Sequence, residues 1–448
     1  AAAPGAMVDS LSPEGHPVVV GCTVILALMA TGVLWNGVTG TGLKVNPPPI
    51  VEPIPVDQAD ESRPQGRFRP AMEGLSEDEQ IEALEAIGYL SGTREASDLS
   101  SVTLHDASKA WQGLNLYTSG HTPSAVLMDM DGEVMHSWGR TYAETFPDFT
   151  RRANGNLLFW RRVHLLPNGD LLAIFEGDAL VKLDRDSNVI WAQRNKAHHD
   201  LEVLENGDIW VLTRKAMTIE KLNDDPTLND FATLLGPDGE EKRRISLLKA
   251  YRDSDFDDHW AKRARKGGDV FHTNSLAVLD GRHEAVDPAF KAGNLLVSMR
   301  HLNAIAVLDP DAEKIVWSKT GDWLLQHDPS LLDNGHVLLF DNNRRSSHVL
   351  ELDAGTDEVV WQYTESQDKP FFSGTCGTAQ RLSNGNTVIT ESDNGRAFEI
   401  TADGEIVWEF HNPNRPQGRP ELVATLFENL RLPPDFPVDW AKPPKGAE

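Results

Sequence analysis

Histidines set at one distance from a repeated turn are the part of this sequence best suited to chemistry. Asn-Gly turns at Asn168, Asn206, Asn334 and Asn384 each precede an apolar run. Seven residues ahead of the Asn stands His199 in one repeat and His327 in another, each followed by an acid, Asp200 and Asp328. The same offset holds Arg161 in a third repeat and Gly377, beside Cys376, in a fourth. A further repeat replaces the turn with GRHEAVDPAFK; aligning its apolar core puts Asn274 at the shared offset, with His272 two residues earlier on the same strand face. Arg300 ends the next strand, LLVSMRH. A neutral imidazole can act as a covalent relay or carry a proton near neutral pH, and a guanidinium grips an oxyanion with two prongs. Equal offsets in different repeats imply equal depth, so His199, His272, Arg300 and His327 are expected around one cavity. A zinc site from His198, His199 and Asp200 is conceivable, but neighbouring strand residues face opposite ways, so no metal is assigned. His164, His336 and His348 lack this placement and read as structural or surface residues.

The elements that must position these residues are short strands. Asn-Gly between alternating apolar residues is a strong hairpin signal. Behind the hairpins come strands that end in Trp, at Trp138, Trp191, Trp317, Trp361 and Trp408, recurring about every 45 residues with one double-length gap. The gap holds one more unit, Asn206 to about Leu248, whose last strand (GEEKRRISLL) lacks the Trp. Six four-stranded units at this period predict an all-β fold, a six-bladed β-propeller over residues 105–440. The strand before each Asn-Gly turn lines the central channel, and each Trp wedges between blades. The first unit lacks an innermost strand, and a segment after Trp408 is expected to supply it and close the ring.

Ahead of the propeller the chain changes character. Val18–Trp35 holds eighteen residues without a charge, enough for one transmembrane helix. Its acidic flank (Asp9, Glu14) is unlike the basic start of a cleaved leader, so residues 1–43 are read as a segment with a retained anchor. Residues 44–75 hold Pro47, Pro48, Pro49, Pro53, Pro55, Pro64 and Pro70, an extended spacer. Residues 76–104 are a helix and connector, Ser76 with Glu79 forming a capping box and Gly88 the stop; residues 441–448 are a tail. With 42 Lys and Arg against 68 Asp and Glu, the net charge of −26 argues against nucleic acid as a partner. Against that background, a cation cluster in the channel would focus an anionic substrate. Two cysteines, Cys22 and Cys376, make no disulfide framework.

The order HHD (198–200), FHTNS (271–275), SMRHLNAI (298–305), QHD (326–328) and FDNN (340–343), with the tail FENLRLPPDFP, resembles the bacterial arylsulfate sulfotransferase family over roughly residues 105–440. The resemblance implies a six-bladed propeller outside the cytoplasm, on the periplasmic side, needing no adenylyl-sulfate donor or other cofactor. It implies ping-pong transfer of a sulfuryl group from an aryl sulfate to a phenolic acceptor. It further implies that His327 becomes transiently sulfated, and that Arg300, His272 and His199 bind sulfuryl oxygens or move protons. His198 competes with His199 for its role; His198, Asn274 and Arg161 are carried as substrate-binding candidates. Two features depart from the family: the disulfide of its familiar members is missing, and an anchor and spacer stand where they have a β-rich N-terminal domain. Two other classes stay open. One is a non-catalytic propeller scaffold within a membrane complex, held to the bilayer by Val18–Trp35. The other is a quinone-cofactor dehydrogenase, which usually has eight blades and a cysteine pair.

Overall fold

The computed structural model describes residues 91–149, 155–219, 223–256, 268–366 and 370–441, with the short strands Arg67–Phe68 and Gly88–Tyr89 and residues Ser76 and Gln80. The chain divides into two compact units, Ala1–Gln58 and Ala59–Glu448. The first unit lies outside the described residues, and with it the span Val18–Trp35 and most of the spacer. The helix from Ser76 is described only by the bond from Gln80 N to Ser76 O, 2.9 Å. Among the described residues no helix is long and apolar enough to cross a membrane.

Six antiparallel sheets follow one another along the chain as blades one to six. Blade one uses Leu114–Ser119, Ser124–Met128 and Val134–Gly139, and takes its innermost strand from Leu426–Leu432 at the other end of the chain. The closure expected from sequence is therefore present, and it removes the open edge that a linear array would leave. Blade two runs from Arg162–Leu165 to Val189–Gln193, blade three from Ala197–Val203 to Glu241–Ser246, and blade four from Thr273–Val278 to Lys314–Thr320. Blade five runs from His327–Leu331 to Val359–Thr364, and blade six from Thr378–Arg381 to Ile406–His411. A fifth strand, Ser101–His105, covers the outer edge of blade six.

The repeated sequence signals have repeated structural causes. In each Asn-Gly turn the Asn Oδ1 accepts the N–H two residues on, at 3.0–3.1 Å, while the Gly takes a φ of 83–90° that only glycine adopts freely. The outer-strand tryptophans reach into the neighbouring blade. Trp138, Trp191, Trp361 and Trp408 donate their indole N–H to Gly169 O, Pro237 O, Ala402 O and Met130 O, in each case a turn of the next blade. This pairs a large apolar surface with a satisfied donor, which a buried indole requires.

Blade three departs from the repeat. Its two middle strands, Ile209–Ile219 and Asn223–Leu235, are 11 and 13 residues long, and Gly268–Asp269 pairs with the second of them in parallel. The overlong hairpin puts Arg214 opposite Asp230 and brings Asp269 alongside Leu228. All three residues belong to the site.

Candidate active site

The innermost strands of blades three and five lose their ladder where the chemistry lies. In blade three the register breaks between Ala197 and Leu201, and in blade five between His327 and Ser330. The freed backbone turns out of the pleat, with His199 at φ 57° and Asp328 at φ 52°; His272, just ahead of the innermost strand of blade four, takes φ 49°. A non-glycine residue held there costs roughly 1–3 kcal/mol and persists only where surrounding contacts over-determine it. The kink also overturns one expectation. Neighbouring strand residues should point apart, yet the Nδ1 atoms of His198 and His199 are 2.8 Å from one another, because left-handed backbone at His199 breaks the alternation.

Four imidazoles form a contiguous chain. The rings of His198 and His199 lie 5.0 Å apart, those of His199 and His272 4.7 Å, and those of His272 and His301 4.9 Å in a stack. Arg300 extends the chain, its Nη1 3.2 Å from His301 Nε2 and its backbone N–H donating to His272 O at 3.3 Å. Carboxylates stand behind the imidazoles. Glu176 Oε2 accepts the His199 backbone N–H at 2.8 Å, and its Oε1 is 3.3 Å from His199 Nδ1 and 3.7 Å from Arg214 Nη1. Asp269 Oδ2 is 2.8 Å from His272 Nδ1. Asp230 accepts the Thr273 N–H at 2.8 Å and lies 3.7 Å from His198 Nε2. Burial, then the charge of Asp269, pushes the Asp230 carboxyl up to about 7.

His327 is held by different means. Its Nδ1 is 2.6 Å from Asn342 Oδ1. The Asn342 amide cannot be turned round, because its Nδ2 already donates to Ser373 O at 2.9 Å and Cys376 O at 2.7 Å. The oxygen therefore faces the ring, Nδ1 carries the proton, and Nε2 keeps its lone pair. Among the described residues that buried Nε2 makes no hydrogen bond of good geometry, although the Leu325 carbonyl also acts on the ring. Burial first, and then the charges of Arg300 and Arg161, hold the imidazole well below its ordinary pKa, so it is neutral at pH 7.

The residues singled out from sequence thus assemble. His198, His199, His272 and Arg300 touch one another, and Arg300 and Arg161 act on His327 through their charge. Arg161 is buried with its guanidinium 5.2 Å over the Phe427 ring. Asn274 Nδ2 donates to Gln326 O at 2.8 Å and so holds the residue before His327. Asp328 does not orient the His327 ring; its contacts are Arg162 and the Ala379 N–H, and Asn342 does the orienting. His336 and His348 pair with Glu351 and Asp341 at the surface of blade five, as structural residues do. Sequence reasoning passed over His301 and Asn342, although both stand inside the quoted motifs. It had no handle on Glu176, Arg214, Asp230 or Asp269, which only tertiary pairing brings here.

Among the described residues two triplets have donor atoms close enough to share an ion: Glu176 with His198 and His199, and Asp269 with His272 and His301. In the second triplet both nitrogens of His301 are engaged, Nδ1 by Asp269 O at 2.7 Å and Nε2 by Arg300. In the first, one facing Nδ1 must donate to the other, and Arg214 already supplies the cation beside Glu176. Both arrangements suit the sharing of protons better than the binding of a metal.

A protein-family model described as arylsulfotransferase (ASST) matches residues 162–413, more than half of the chain. The chain belongs to the arylsulfotransferase family. The match spans blades two to six and so includes Arg300, His327 and all four clustered imidazoles. No curated protein matches. Among solved structures, a protein of unknown function from Bacteroides caccae is similar at 13% identity, with 67% of this chain and 94% of that one covered and a TM-score of 0.44. The Cps50 (Swd1) β-propeller domain of Myceliophteria thermophila is similar at 12% identity, with 74% and 97% covered and a TM-score of 0.41.

Proposed function

We propose that this arylsulfotransferase moves a sulfuryl group from an aryl sulfate to a phenolic acceptor in two displacements, with His327 as the covalent relay. In the first, the His327 Nε2 lone pair forms a bond to sulfur as the bond from sulfur to the aryl oxygen breaks. The phenolate leaves and takes a proton from the imidazole cluster. In the second, that cluster accepts the proton of the incoming phenol, whose oxygen attacks sulfur while the S–N bond breaks and the pair returns to Nε2. Splitting one displacement into two is what a nucleophilic relay contributes. Arg300 and Arg161 stabilise charge on the sulfuryl oxygens, and their permanent charge suits that task. His272, backed by Asp269, and His199, backed by Glu176, are the proton carriers.

The observation that carries this reading is the buried Nε2 of His327, which makes no hydrogen bond of good geometry among the described residues, is held in its lone-pair tautomer by Asn342 and feels the charges of two guanidiniums. Protein quenched during incubation with donor alone should yield a sulfated peptide containing Gln326-His327-Asp328, and His327→Ala should yield none. Full turnover of a chromogenic aryl sulfate by His327→Ala would end the reading, and no turnover by the parent protein would favour a scaffold. The same proposal has Val18–Trp35 crossing the bilayer with the propeller outside the cytoplasm, supported by the uncharged run and the family. Protease protection in sealed vesicles tests it: a propeller cut only after access from the cytoplasmic side would overturn it.

A further inference from the structure

One residue on from the histidines, carboxylates of several innermost strands converge on one guanidinium. Arg162 begins the innermost strand of blade two, and its three nitrogens reach carboxylates from three other blades. Its Nε is 2.7 Å from Asp200 Oδ1 of blade three, its Nη2 is 3.6 Å from Asp328 Oδ1 of blade five, and its Nη1 donates to Glu428 of blade one. The two aspartates then pass the connection on. Asp200 Oδ2 accepts the Leu276 N–H of blade four at 2.9 Å, and Asp328 Oδ2 accepts the Ala379 N–H of blade six at 3.3 Å. All six blades are tied through one side chain.

The two aspartates are the ones that follow His199 and His327. We infer that Arg162 is a positioning residue for the site, setting His199 and His327 at a common depth through the backbone of their following aspartates. This rests on the sulfuryl-transfer reading for what the histidines do, but not for the clamp itself. The aspartates sit at the register breaks, and Asp328 itself takes left-handed backbone, as His199 does before Asp200. A kink that costs energy needs an anchor on each side. On the site side Glu176 holds the His199 N–H; on the other side Arg162 holds the carboxylates. The repeated His-Asp pair thereby has a physical cause: the His acts, and the Asp reports to a shared centre. The groups facing Arg162 from the packed strands are Asp200, Asp328 and Glu428, with Glu202, His164 and Arg161 around them. Carboxylates outnumber the guanidinium, so removing it leaves like charges crowded in a buried place.

The test compares Arg162→Met, which keeps length without charge, and Arg162→Lys in the full chain. Arg162→Met should melt below the parent at pH 8 and recover toward it at pH 5, where the carboxylates take up protons. Arg162→Lys restores a charge but cannot reach three blades. It should recover most of the melting temperature while kcat stays down about 100-fold with KM little changed, the size expected of a misplacement near 1 Å. Parent-like kcat in both variants, or full recovery of rate and melting together in Arg162→Lys, would overturn the clamp. A readout independent of turnover is the ring ¹⁵N resonances of labelled histidine. Those of His199 and His327 should both move in Arg162→Lys and in Asp328→Asn, and unmoved resonances would overturn the clamp. If the parent protein does not turn over aryl sulfates while these resonances move, the chemical reading fails and the clamp stands.

Discussion

Blades three and five carry the same His-Asp pair at the same offset from the same turn, and the fold surrounds the two histidines differently. In blade three, His199 is backed by a carboxylate, Glu176, and lies within 4.7 Å of the His272 ring, itself backed by Asp269. In blade five, no carboxylate among the described residues pairs with the His327 ring. Its side-chain partner is the neutral amide of Asn342, and the charges that act on it are the guanidiniums of Arg300 and Arg161. A carboxylate partner favours the charged form of an imidazole, whereas burial beside guanidiniums favours the neutral form. The difference divides the labour: one environment keeps protons available, and the other keeps a lone pair. Two like residues pushed apart by their surroundings is the usual way for one site to hold an acid and a nucleophile.

The largest test of this comparison removes each histidine in turn. His327→Ala should lose at least about 10³-fold in transfer, since no group remains to take the sulfuryl. His199→Asn should lose about 10²-fold, within the range of a proton carrier, and still form the sulfated His327 peptide. Rates with a series of aryl sulfates decide it: the His199→Asn deficit should grow as the leaving phenol becomes more basic. A sulfated peptide mapping to residues 197–203 instead would invert the assignment.

The next test changes only the partner of His327. Asn342→Asp puts a carboxylate where blade five has an amide, making His327 more like His199. The sign follows directly: the new charge stabilises the imidazolium, so the His327 pKa rises and the acid limb of the pH–rate profile moves to higher pH. Asn342→Leu leaves Nδ1 without an acceptor and releases the tautomer. It should cost about tenfold in kcat, the value of one buried hydrogen bond to a reacting group. An unmoved acid limb in Asn342→Asp would mean that another group sets it. Arg300→Lys should cost a comparable factor, about tenfold in kcat/KM, because a point charge replaces a two-pronged grip.

Much of this was legible in the sequence because propellers repeat. The Asn-Gly turns, the outer tryptophans and the closing strand near Leu426–Leu432 each follow from local chemistry, and a shared offset from a turn is a statement about depth. What the repeat conceals is where it is broken. The left-handed backbone at His199 brings His198 onto the same side, against strand alternation, and nothing in HHD announces it. Glu176 lies in the turn after the strand Leu171–Phe175 of blade two, and Asp269 lies well beyond the last strand of blade three, Glu241–Ser246. Their partners are set by pairings between distant segments, so spacing could not find them. Asn342 was visible inside FDNN, but its role depends on two carbonyls, Ser373 O and Cys376 O, from another blade. Asp328 was visible as the acid after His327, but its contacts with Arg162 and the Ala379 N–H are made across blades and could not be read from spacing.

The smallest expected effect concerns the carboxylates around Arg162 and separates them from the site. Burial, and then the charges of Asp328 and Asp200, pushes the Glu428 carboxyl up to about 7, against the opposing pull of Arg162. Its reference value is 4.5, so between these values the folded chain holds a proton that the unfolded chain has released. The stability contributed by that proton is complete below 4.5 and is lost as pH rises through 7. Glu202, pushed up to about 7 by burial, and Asp230 act in the same direction. The melting temperature should therefore decline from pH 5 to pH 8. Glu428→Gln keeps an oxygen to accept from Arg162 but has no charge to bury. It should match the parent at pH 5 and melt about 2–4 °C above it at pH 8, flattening the decline without abolishing it. Because Glu428 lies on the Arg162 side, the acid limb of the pH–rate profile, set by His327, should stay where it is. If Glu428→Gln moved that limb as Asn342→Asp does, the clamp and the site would titrate together, and the division between the two would be lost.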